Sequence, residues 1–368
     1  MTEDQAADNL MGNKAGAKRP ASTIVHTLKW IVAIAGVFFA VCAIQVAVSV
    51  YGSIWLVRLN RFGADGSTGD VDLLAIGVAA QLVWLVVAIL WWRHVRRRGM
   101  GVDPATVREP VAVCYGRVRD AKTDLAGSEP ESNASFPAAN STLEIPLSDM
   151  QGRDHPRHSP AHAVKTLLAI VLMGIGLQIV ISLLITLTLP LFPEIEREYT
   201  ELMESAGIDA FTPLSILSVA VLAPVVEELT FRGVAFQFAL RSVTPGWNKR
   251  LAPGAYAGLP ISRVRFWVAN ALQALAFGIM HLNITQGLYA FAIGLVLGWL
   301  FGRTGQLRYS IALHLAINFS SYFVDEILDA FSLFGGFGPV VLSIACAVGG
   351  IWLFARSVPA LPWSVEAR

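Results

Sequence analysis

The chain predicts an all-α, polytopic membrane bundle of about eight transmembrane helices, and three observations lead there. Hydrophobic residues make up 54% of the 368 and charged residues only 15%, well away from the balance of a soluble domain. The apolar residues gather in runs of about 18–25, the length that a ~30 Å hydrocarbon core demands. Arginine and lysine gather in alternate connections between those runs, as they do when one side of a membrane is cytoplasmic.

The predicted spans are 30–56, 73–92, 164–191, 211–240, 264–281, 287–302, 310–328 and 338–355. The first starts too late and runs too long for a secretory signal peptide, and no small-residue cleavage site follows it. Lys14, Lys18, Arg19 and Lys29 precede it, and Arg93, Arg96, Arg97 and Arg98 follow the second span. Arg241, Lys249, Arg250, Arg263 and Arg265 join spans four and five; Arg303 and Arg308 join six and seven; Arg356 follows eight. All of these share one side if both termini are cytoplasmic, leaving Asp65, Asp70, Asp72, Glu194, Glu196, Glu198, Glu201, Glu204, Asp325, Glu326 and Asp329 on the other. Arg58 and Arg61 dissent from this pattern. The expected location is the cell membrane; the net charge of +1 says nothing about partners, and the asymmetry of charge is about topology.

Five segments follow from composition. Residues 1–25 read as a mobile cytoplasmic N-terminus, 26–98 as a two-helix membrane portion, and 99–162 as a cytoplasmic linker, mostly disordered, with a possible strand at 111–118. Residues 163–357 form a six-helix core and 358–368 a cytoplasmic tail. Cys42, Cys114 and Cys346 have no ligand spacing and suggest neither a disulfide nor thiol chemistry. There is no glycine-rich phosphate loop and no basic-aromatic surface, so nucleic acid is not an expected partner; the lipid bilayer is.

The chemistry concentrates in span four, at Glu227-Glu228-x-x-x-Arg232. Each charge at mid-membrane depth costs about 2.5–3.5 kcal/mol on insertion scales and is tolerable only facing protein or a wet cavity. Glu228 and Arg232 are four apart and lie on one face, where they can pair; Glu227 points about 100° away. Pro224, one turn earlier, is expected to kink the helix and turn backbone carbonyls toward a cavity. Span five ends Phe277-x-x-x-His281, with Gln273 and Asn270 on the same face, and span seven carries His314-x-x-x-Asn318. Singly, each of these residues is as well explained by interhelical hydrogen bonding.

Together the set permits water activation. A carboxylate in a partly dry site can act as general base, with an imidazole orienting the water or passing its proton to a leaving amine. That assigns Glu227 and His281 to the water. An amide and a second imidazole can donate to an oxyanion, which assigns His314 and Asn318 to the carbonyl. Ser310 reads as a cap at the start of span seven rather than a nucleophile. By span limits Glu227 is central, His281 terminal and His314 near the start of its run, so convergence requires helix shifts.

In that order on successive membrane helices, Glu227-Glu228-x-x-x-Arg232, Phe277-x-x-x-His281 and His314-x-x-x-Asn318 resemble the CPBP family. These are the CAAX-protease and bacteriocin-processing enzymes, also called Abi or type II CAAX prenyl endopeptidase-like proteins. The resemblance covers about residues 164–355. It implies an eight-helix intramembrane endopeptidase acting on a membrane-associated peptide or protein. Carried over by motif, Glu227 and His281 are the water activators, His314 and Asn318 the oxyanion site, and Glu228 and Arg232 supporting positions. The family is often labelled metallopeptidase, and Glu227, Glu228, His281 and His314 include the ligand types for Zn²⁺. The chain has no His-Glu-x-x-His helix and sets Arg232 beside the glutamates, which favours a metal-free reaction. Two other functions fit the same residues: a proton- or cation-coupled transporter, and a non-catalytic membrane immunity or scaffold protein.

Overall fold

The computed structural model describes residues 20–59, 69–97, 160–205, 211–243 and 263–358. Most of the expected N-terminal segment, nearly all of the linker with its strand at 111–118, and all but the first residue of the C-terminal tail lie outside them. The described residues form helices and turns only. Pro20–Arg58 is α1 and Asp70–Arg97 is α2. Pro160–Thr188 is α3, closed by the 3₁₀ turn Leu189–Leu191. Pro193–Ser205 is α4, and the long run Pro213–Val243 is α5. Arg263–Met280 is α6, Ile284–Thr304 α7, Leu307–Ser321 α8, Val324–Ser332 α9 and Gly338–Ser357 α10.

Among the described residues six helices are long and apolar enough to cross a membrane: α1, α2, α3, α5, α7 and α10. The expected continuous span at 310–328 is instead a pair, α8 and α9, bent by 77°. The apolar run of α6, Val264–Met280, is shorter than a full span. The molecule is an integral membrane protein built as an all-α bundle. Large apolar side chains such as Val32, Phe39, Leu167 and Val264 point outward because lipid, not water, is their solvent. The α4 helix was not anticipated. Its first turn holds Glu194 and Glu196, its apolar residues fall on one side, and it lies against α7.

Small residues set the closest packing. A Cβ on Gly176 would strike the backbone of α10 at Ser343 and Ala347, and one on Gly350 would strike Met173 of α3. Membrane helices approach this way because lipid supplies no hydrophobic force between them, so close van der Waals contact must. The first two helices are joined to the core by polar contacts. His26 Nε2 donates to Arg241 O at 2.9 Å and Thr27 Oγ1 to Ser242 O at 3.0 Å, capping carbonyls at the end of α5. Arg241 also lies over the Trp30 ring at 4.8 Å. Farther along, Trp84 Nε1 of α2 donates to Thr230 Oγ1 at 2.9 Å, close beyond the glutamates.

Candidate active site

Two π turns bracket the glutamates. Ile216–Leu222 and Phe231–Ala235 flank the α-helical turns Ala223–Thr230 within α5. Such turns are frequent at functional sites because they widen the helix and leave carbonyls without their usual partners. Here the reason is local. Ala223 N–H reaches back five residues to Ser218 O. The next amide in that register belongs to residue 224, a proline with no N–H to give. Val219 O is therefore free, and Asn318 Nδ2 of α8 donates to it at 2.9 Å. The proline acts by opening a carbonyl to a neighbouring helix. At the other bracket, Phe231 N–H is shared between Glu227 O and Glu228 O as the helix changes register.

The adjacent carboxylates then separate. Glu228 and Arg232 are fully buried, and Arg232 Nη1 donates to Glu228 Oε1 at 2.7 Å. Arg232 also sits 4.5 Å over the Phe277 ring, and its Nη2 reaches Gly294 O at 3.4 Å. The Glu228 oxygen that takes Arg232 also takes His314 Nδ1 at 3.0 Å. Since Oε1 is an ionised acceptor toward Arg232, His314 Nδ1 carries the proton of that bond. The other ring nitrogen, Nε2, lies 3.7 Å from Glu227 Oε2. The Glu227 side chain keeps 15% exposure, against 5% for His314.

That exposure is to a cavity of about 320 Å³ lined by Glu227, His281, His314 and Asn318 together. The mismatch of depths disappears for two reasons. The α8 helix starts at Leu307 and stops at Ser321, which centres His314 in it. His281 lies just past the end of α6, in the turn to α7. That turn is tight: Leu282 has φ 55°, a region a β-carbon disfavours, and Asn283 Oδ1 caps α7 by accepting Gln286 N–H at 3.0 Å. His281 Nδ1 donates to Phe277 O at 3.0 Å, leaving Nε2 as its acceptor. Both imidazoles pack edge-on against Phe277, with ring centres at 5.0 Å for His281 and 5.8 Å for His314.

Not every polar residue of these helices faces the cavity. Asn270 and Gln273 do not line the cavity: Gln273 Nε2 donates to Asn270 Oδ1 and Gly294 O, and Asn270 Nδ2 to Leu295 O, a polar tie between α6 and α7. Ser310 caps nothing, because α8 begins earlier; buried inside it, Ser310 Oγ donates to Leu307 O at 3.1 Å. Cys42 and Cys346 are free thiols. Gln81, Gln178, Ser182, Tyr199 and Tyr289, none of them singled out from sequence, also line the cavity. For Gln178 and Ser182 the signal was available, as two polar residues one turn apart in an apolar helix.

Among the described residues no three of His, Cys, Asp and Glu come together as ligands. Glu228 is engaged by Arg232 and His314, so a fixed positive charge stands beside that carboxylate.

No curated protein and no solved structure matches the chain. One family model does, described as Rce1-like, Type II CAAX prenyl endopeptidase Rce1-like, over residues 209–320. The matched segment is shorter than half the chain but holds Glu227, Glu228, Arg232, His281, His314 and Asn318. The match supports the CPBP/CAAX protease family that the order of the motifs resembles.

Proposed function

We propose that the protein is an intramembrane endopeptidase that hydrolyses a membrane-associated peptide or protein with a glutamate-activated water. The observation that carries this reading is the meeting of Glu227, His281, His314 and Asn318, drawn from two helices and a turn, on one cavity. Glu227 is the carboxylate left free to accept a proton, because Glu228 is held by Arg232 and His314. His281 Nε2 and Glu227 orient the water between them. Its oxygen bonds the scissile carbonyl carbon while Glu227 takes its proton. As the C–N bond breaks, that proton passes to the leaving nitrogen, with His281 as relay.

The developing oxyanion meets the second Nδ2–H of Asn318, whose first is spent on Val219 O. His314 can donate from Nε2 only when both ring nitrogens are protonated, since Nδ1–H already serves Glu228. In that form the imidazolium and Arg232 balance the two carboxylates. No step is routed through a metal. Both termini and the linker are cytoplasmic in this reading, and the membrane is the cell membrane.

The deciding experiment compares membrane peptides from cells carrying wild-type or Glu227→Gln protein. Peptides that accumulate uncut only in the variant support the reading. Identical peptide populations would end it.

A further inference from the structure

Among the polar side chains that line the same cavity from outside the matched segment and take no part in the reaction above are Gln81 of α2 and Gln178 and Ser182 of α3. Gln178 and Ser182 are four apart and so share one face of α3. They are the only polar side chains between Thr166 and Thr186. Gln178 Nε2 donates to Ser182 Oγ at 3.3 Å. Among the described residues that leaves Gln178 Oε1, its second N–H and the Ser182 hydroxyl proton without a protein partner. Gln81 Oε1 accepts from Ser218 Oγ at 3.1 Å, on the first π turn, which among the described residues leaves the Gln81 Nε2 protons open.

Placing such groups in a partly buried cavity is costly unless a ligand or water pairs them. A primary amide offers a donor and an acceptor side by side, the pattern that an extended peptide backbone presents along its edge. A peptide brought into an apolar cavity needs those partners, because its own N–H and C=O groups lose water. The lining also includes the apolar Ile181, Ile185, Met203 and Ile293, which accept side chains without reading their polarity. Resting on the endopeptidase reading, we propose that Gln178 and Ser182, with Gln81, are substrate-positioning residues. They pair with backbone amides of an extended peptide and hold its scissile carbonyl at Glu227.

The test uses the purified full chain in detergent and a panel of synthetic apolar peptides, with products read by mass spectrometry. The probe is the panel peptide that wild type cuts and Glu227→Gln spares. A panel with no such peptide overturns the endopeptidase reading, and this inference falls with it. With the probe in hand, Gln178→Leu is expected to raise KM about tenfold with kcat little changed, and Ser182→Ala to raise it less. Thermal unfolding should stay at the wild-type temperature, since leucine suits an apolar helix. Esters replacing single backbone amides of the probe then locate the contact. One ester should weaken binding to wild type as much as Gln178→Leu does, and add no further loss in that variant. An unchanged KM in Gln178→Leu, or ester losses that add fully to it at every position, overturns the positioning role and leaves Glu227-dependent cleavage standing.

Discussion

Glu228 and His314, eighty-six residues apart, share a buried hydrogen bond of 3.0 Å, and the carboxylate oxygen that makes it is the one that holds Arg232 at 2.7 Å. The Glu228–Arg232 pair expected from spacing is therefore also what orients an imidazole on the cavity wall. Adjacent glutamates thus play different parts. One is enclosed and orients; the other is left to meet solvent.

The enclosed carboxylate is expected to matter twice. Glu228→Gln strips buried Arg232 of its counter-charge, a loss of about 3–5 kcal/mol, and weakens the acceptor that fixes the His314 proton. Replacing both partners, as Glu228→Gln with Arg232→Met, should recover much of the stability without restoring cleavage. Unfolding temperature in detergent beside peptide turnover separates the two effects. Recovery of both together would reduce Glu228 to a purely structural role.

Glu227→Gln keeps size and hydrogen bonding but cannot accept a proton. The variant should fold with wild-type stability and cleave about 10²–10⁴-fold more slowly. Turnover near the wild-type rate would move the base to another residue.

Asn318 serves an opened carbonyl as well as the cavity. Asn318→Leu should lose about 10²–10³-fold in kcat by removing an oxyanion donor. It should also destabilise by about 1–3 kcal/mol by orphaning Val219 O. Adding Pro224→Ala restores a backbone N–H to the helix and should return stability but not rate. Calorimetry and kinetics on the single and double variants measure the two parts independently.

Helix spacing at Gly298 is expected to be unforgiving. A Cβ there would overlap Asn270 Oδ1 and the Gln273 amide, the tie between α6 and α7. Gly298→Ala should cost about 1–3 kcal/mol, as overpacking of a dense interior does. Trimming the neighbour with Asn270→Ala should recover part of that loss in a thermal melt. Additive losses in the double variant would show that the two sites do not touch in solution.

Orientation can be read in intact cells. A cysteine introduced within 99–162 should be protected from a membrane-impermeant thiol reagent added outside and should react after lysis. Labelling before lysis would invert the topology drawn from the arginine distribution.

Much of this protein is written in local pattern. The length of the apolar runs dictates helices, because a backbone in lipid must satisfy its own hydrogen bonds. The (i, i+4) spacing dictates that Glu228 and Arg232 meet, and the same arithmetic turns Glu227 away from them. Chain order and residue type pick out His281, His314 and Asn318 as polar outliers on apolar helices. What lies between helices needed three dimensions. The termination of α8 at Ser321 centres His314, and the strained turn at Leu282 carries His281 beyond α6. The π turns hand Val219 O to Asn318, and α2 and α3 bring Gln81, Gln178 and Ser182 to the same cavity. None of these follows from periodicity, because each depends on which of several possible partners a carbonyl, a carboxylate or an amide finds once separate helices pack. Packing made that choice, through contacts between residues tens to hundreds of positions apart.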